Sequence, residues 1–149
     1  MLWKALLTWL IMAVFMVLNG TVRELVYAPQ LGAYAGHVIS TILGIVIIWS
    51  VTWLFLKRQP ALSGNVLWRI GALWLGLTVA FEFPFGHFVD GASWQTLLAE
   101  YNLLNGRLWL LILLSTALAP PLCGRHLRLM RGRSAAARLA APAALTQKG

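Results

Sequence analysis

Cysteine and acidic side chains are what this chain has least of. A single cysteine, Cys123, stands among 149 residues. That count excludes an internal disulfide, a CxxC redox pair and any multi-thiolate metal site. Cys123 falls near the inner end of the last expected helix and reads as a small apolar residue. Four residues are acidic, and charged residues of both signs make up only 11% of the chain. Soluble domains carry about a quarter, so this chain has too little polar surface to sit in water.

What is present points to lipid as the solvent. Sixty per cent of the residues are hydrophobic and the mean hydropathy is +0.76. Eight are tryptophan, a side chain that collects at membrane–water interfaces. A net charge of +8 would suit nucleic acid if the basic residues formed a patch interleaved with aromatics. They lie instead at the ends of apolar runs, as topology determinants do, and no nucleic-acid partner is expected.

Four apolar runs approach the roughly 20 residues needed to cross the hydrocarbon core. The expected helices cover residues 2–27, 32–56, 66–83 and 103–120. The third should stop at Pro84, because a residue before proline is pushed out of helical geometry. The fourth should end at Pro120–Pro121. The first run lacks a small-x-small cleavage pattern at Val17–Gly20 and is read as a membrane helix rather than a signal peptide. Between the third and fourth helices, Trp94, Leu97, Leu98, Tyr101 and Leu104 recur at helical spacing. This predicts a short interfacial helix at about residues 93–101. The fold class expected is all-α: a polytopic membrane protein with a four-transmembrane-helix bundle over residues 1–122, then a basic, Ala-rich cytoplasmic tail over residues 123–149, disordered or loosely attached to anionic lipid after Arg133.

Charge sets the orientation. Lys4, Lys57, Arg58, Arg69, Arg125, Arg128, Arg131, Arg133, Arg138 and Lys148 fall on one side of these helices, and only Arg23 and Arg107 on the other. The basic side is cytoplasmic by the positive-inside rule, which places both termini there.

All four acids (Glu24, Glu82, Asp90 and Glu100) gather at the opposite, outer end with Arg23, Arg107, His37, His87, Tyr101 and Asn102. Ionisable groups at membrane depth usually pair, face the bundle interior or mark a pathway. Glu82 is expected in the last turn of helix three and Arg107 near the start of helix four. Each opposes its helix dipole, so a contact between them would offset both penalties. Arg23 and Glu24 are neighbours, about 100° apart on an α-helix, and should serve different partners. Helix two carries Gly32, Gly36, Ser40 and Gly44 at four-residue spacing, a pattern that lets backbones approach closely. Helix three carries Ala72, Gly76 and Ala80, and pairing of helices two and three through these stripes is expected.

His37, Glu82 and His87 are of zinc-ligand type, but Glu82-x4-His87 is no known metal signature. A haem between His37 and His87 is a further option, as is a proton relay or a cation site among the phenylalanines of Phe81–Phe88. The plainest reading of the cluster is a structural polar network with a partner-binding surface, needing no cofactor. The alternative is an ion, proton or small-solute transporter or channel subunit using the Glu/His/Arg cluster. An enzyme is not expected, because no nucleophile–base pair, nucleotide loop or established metal motif appears. The partners expected are membrane lipid and a second copy or another membrane protein.

The segments Asn19–Glu24, Phe81–Phe83, Phe85–His87 and Tyr101–Trp109 resemble those of a family of small uncharacterised bacterial inner-membrane proteins with four predicted helices. The likeness covers about residues 1–122. It implies a bacterial inner-membrane setting and brings no activity, substrate or cofactor.

Overall fold

The computed structural model describes residues 1–88, 91, 93–95 and 108–146, with the backbone alone for 83, 86 and 136–146. Every regular element among the described residues is helical. Helix α1 (Leu2–Val22) runs through a π-helical turn (Arg23–Tyr27) into the short α2 (Ala28–Leu31). Helices α3 (Ala33–Lys57), α4 (Gly64–Phe88) and α5 (Trp109–Thr146) follow. Four segments are long and apolar enough to cross a membrane: Leu2–Leu31, Ala33–Lys57, Gly64–Glu82 and Trp109–Ala135.

The π turn has a local cause. Pro29 has no N–H to return to residue 25, and just upstream the ladder widens, with Ala28 N–H reaching the Arg23 carbonyl five residues back. Gly32 ends α2 at φ 89°, a left-handed conformation that glycine adopts without steric cost, and α3 starts one residue later.

Around the bundle the order is α1, α3, α5, α4. Helix α5 packs extensively on both α3 and α4, α1 packs on α3, and α1 touches α4 over a smaller area. The core is built from Ile48, Leu67, Trp74 and Ile112, with Ala5 and Ala119 fully enclosed. Trp74 Nε1 donates to the Ala5 carbonyl at 2.9 Å, and Trp9 Nε1 to Thr78 Oγ1 at 3.0 Å, tying α1 to α4. Buried hydroxyls are satisfied within their own helices: Thr41, Thr52 and Thr116 each bond the carbonyl four residues back. In an apolar interior an unmet donor costs free energy comparable to a lost hydrogen bond.

Three expectations are corrected. First, the small-residue stripes do not pair with one another. Gly36 lies against the backbone of Tyr27 and Ala28, and Gly44 against Met16 of α1 and Ile112 of α5, while Ser40 is buried beside them. Gly32 has no such neighbour. Ala72, Gly76 and Ala80 face outward, and α3 shares no extensive interface with α4. The close approach on α4 is one residue away, where a Cβ on Gly71 would collide with the Ala117 carbonyl oxygen of α5.

Second, the prolines do not stop their helices. Pro84 lies inside α4, which runs on to Phe88, and Pro120–Pro121 lie inside α5. Tertiary neighbours can compensate for the donor a proline lacks. Pro121 cannot donate to the carbonyl of Ala117, and that oxygen is the one Gly71 packs against.

Third, the segment expected as a disordered tail continues α5 to Thr146. Its 38 residues extend roughly 57 Å at 1.5 Å per residue, well beyond a hydrocarbon core of about 30 Å. Of the expected interfacial helix, Trp94 and Gln95 are helical, and residues 96–101 lie outside the described residues. Cys123 is a free, buried thiol packed in the core cluster.

Candidate functional site

At the end of the bundle where α1 passes into α3, the widened turn carries Arg23 and Glu24 side by side. Their side chains pair with each other, correcting the expectation of separate partners. Arg23 Nη2 donates to Glu24 Oε1 at 2.8 Å and Nε to the same oxygen at 3.0 Å. A π turn takes more residues per revolution than an α-helix and so brings neighbours closer in azimuth, and the long arginine stem covers the rest. The third edge of the guanidinium reaches α3, with Arg23 Nη1 3.4 Å from His37 Nδ1. Arginine can only donate, so Nδ1 is the acceptor and the ring proton is assigned to Nε2.

Below this pair a side-chain-to-backbone bond ties α1 to α3, and two more lie within α3. Asn19 Nδ2 donates to the Ser40 carbonyl at 2.7 Å. The His37 carbonyl accepts from Thr41 Oγ1 at 2.8 Å and Ser40 Oγ at 3.0 Å. Burial falls off outward: Arg23 is 32% exposed and Glu24 65%. Gly36, with backbone against it at 3.0 Å from a notional Cβ, is what lets α3 come close enough for His37 to meet Arg23. A side chain there would push the two elements apart.

The second part of the cluster is on α4. Glu82 is half-buried and lies six residues before the end of the helix at Phe88, not in its last turn. The dipole acts mainly on the last turn, so its opposition to Glu82 is weaker than the sequence implied. His87, expected beyond the helix, sits in its last turn, where a cation is favoured. Its ring stacks on Trp94 at 4.2 Å between centroids and 25° between planes, and meets Phe88 edge-on at 4.9 Å. Phe81 stacks on Phe85 at 5.1 Å, and Trp9 of α1 meets Phe81 edge-on at 6.1 Å. These rings form an aromatic seam between α4 and α1 beside Glu82.

The histidines thus engage different neighbours, His37 the arginine and His87 an indole. No group of three His, Cys, Asp or Glu side chains with metal-ligand geometry occurs among the described residues. Tyr101, Asn102 and Arg107 lie outside them, and with them the Glu82–Arg107 contact.

Two features were not anticipated from sequence. The buried Trp109 Nε1 donor has no hydrogen-bond partner among the described residues. At the far end of the bundle Arg131 Nη2 donates to the carbonyls of Lys57 at 3.2 Å and Gln59 at 2.9 Å, fastening α5 to the turn between α3 and α4. Reading α5 as ended at Pro120 hid that second contact. Comparison of the chain with protein-family models, with curated proteins and with solved structures found no match in any of the three.

Proposed function

We propose that this chain is a non-enzymatic integral protein of a bacterial inner membrane, with both termini cytoplasmic. Its polar cluster at the periplasmic face supports assembly with, or binding of, another membrane protein. The observation that carries the reading is the commitment of Arg23. Its guanidinium is engaged on Glu24 and His37, fixing the α1–α3 corner, while the Glu24 carboxylate remains 65% exposed. A fixed cation with an outward carboxylate is suited to hold a donor-bearing partner at the membrane edge. The motif likeness at Asn19–Glu24 and Phe81–Trp109 supports the bacterial setting. The inward gathering of basic residues supports the orientation.

Photo-crosslinking in native membranes tests this. Leu25 and Tyr34 flank the cluster and are 74% and 72% exposed, so a photoreactive residue at either position should yield one discrete protein adduct. That adduct should weaken in Glu24→Lys. Adducts to lipid alone, or a product indifferent to Glu24→Lys, would remove the partner-binding role. Proteoliposome flux that requires Glu82 would put transport in its place.

A further inference from the structure

A second built feature lies at the opposite end of the bundle and is independent of the Arg23 cluster. A shallow, open-sided cleft separates α5 from the turn joining α3 to α4. Leu56, Leu67 and Leu127, all buried in the bundle, form its floor, half-buried Leu62 lies at its rim, and Arg128 and Arg131 border it. Gly124 makes the cleft close-packed at its base, since a Cβ there would press into the Leu67 side chain, 2.8 Å from Cδ2.

The two arginines are arranged differently. Arg131 is held by Nη2, which donates to the carbonyls of Lys57 and Gln59. This leaves the Nε–H and both Nη1–H donors of its fork uncommitted among the described residues. Arg128 makes no hydrogen bond among them, and its Nη2 lies 4.0 Å from where a side chain on Gly64 would begin. Gly64 opens α4, whose dipole opposes a cation there. Lys57 and Arg58, both exposed, belong to the same turn. Among the described residues no carboxylate pairs with the group. Glu24 and Glu82 sit toward the opposite ends of their helices. The cations therefore converge where an external anion would relieve them.

Depth narrows the anion. Trp68, 56% exposed, lies one turn into α4, and Trp53 packs against His126 at 5.5 Å. Tryptophans at that level mark a headgroup boundary. A free anion has no reason to prefer that level, whereas the bilayer itself holds a phospholipid headgroup there. We infer that this cleft binds the phosphate of an anionic phospholipid: the Arg131 fork, pre-oriented by its two backbone carbonyls, and Arg128 hold the headgroup, while the acyl chains stay in the bilayer beside α5. Basic pockets between membrane helices bind acidic headgroups in this way.

Native mass spectrometry of the full chain, released into detergent with equal amounts of phosphatidylglycerol and phosphatidylcholine, tests the site. The wild type should retain phosphatidylglycerol preferentially. Each cleft arginine should contribute about fivefold to that preference, so Arg128→Gln should lower it about fivefold and the Arg128→Gln, Arg131→Gln pair about 25-fold. Arg133, roughly 200° around α5 from Arg131, supplies a control with equal charge loss, and Arg133→Gln should stay within about twofold of wild type. If the pair disrupts the turn, Arg128→Gln alone carries the result, because Arg128 bonds nothing in the turn. Equal retention of the two lipids, or an equal loss in Arg133→Gln, would overturn the site. Short-chain phosphatidylglycerol should raise the melting temperature where inorganic phosphate does not. Equal protection by phosphate would overturn the lipid as ligand.

Discussion

The contact between Gly71 and the Ala117 carbonyl sets two glycines of one helix against each other. A Cβ on Gly71 would fall well inside van der Waals distance of that oxygen. The obstacle is backbone, which cannot rotate aside, so α4 and α5 must part until a normal C···O separation of about 3.4 Å is regained. That requires a shift on the order of 1 Å, enough to forfeit a quarter to a half of the dispersion energy across the opened contact. Overpacking of this kind costs about 1–3 kcal/mol, and a rigid partner puts it toward the upper end. Alanine returns about 0.5–1 kcal/mol through its better helix propensity. Gly71→Ala should therefore lose about 1–2 kcal/mol, or roughly 2–8 °C in melting temperature at this chain length. Gly76 has no atom within 4 Å of a notional Cβ and faces outward, so Gly76→Ala should be neutral or gain up to about 1 kcal/mol. Thermal unfolding of both variants by circular dichroism in one detergent decides the matter. A Gly71→Ala protein as stable as wild type, or a Gly76→Ala protein that melts earlier than Gly71→Ala, would refute the packing argument.

Two further outcomes are expected. Trp74→Phe keeps most of a fully enclosed ring but loses the indole bond to the Ala5 carbonyl; it should cost about 1–2 kcal/mol, and an unchanged melting temperature would deny that bond a role. As a hypothesis from the half-burial of Glu82 and the place of Arg107 two residues before α5, Glu82→Gln and Arg107→Gln should each destabilise. The double variant should then recover part of the loss, with a coupling of about 0.5–3 kcal/mol. Strictly additive losses would show that the two side chains do not pair.

The four long helices were legible because apolar length is a strong signal that survives almost any arrangement of neighbours. The stripe on α3 was legible in part. Spacing at Gly36, Ser40 and Gly44 marks a face that permits close approach, but it says nothing of which backbone approaches. The answer, α1 and α5, depends on helix order. On α4 the same signal misled: Ala72, Gly76 and Ala80 repeat regularly and face outward, whereas a single glycine, Gly71, makes the contact. Prolines misled for a related reason. Their local rule assumes that a broken ladder has no remedy, yet the carbonyl freed by Pro121 is met by a neighbouring helix that sequence spacing cannot see. The Arg23–Glu24 pair was hidden by the assumption of 100° per residue, which the π turn relaxes.

The order of helices around the bundle bears on how the molecule is made. Helices α3 and α4 are joined by a six-residue connection, Arg58–Ser63, yet meet mainly through α5. A chain emerging from the ribosome has made its first three long helices before the neighbour shared by α3 and α4 exists. Until then α1 grips α3, while α4 has only its smaller contact with α1, and the surface around Gly71 stays open to lipid or to an insertion factor. Completion of the bundle is thus a late, C-terminal event. A ribosome stalled before Trp109 would leave α3 and α4 without the keystone that joins them.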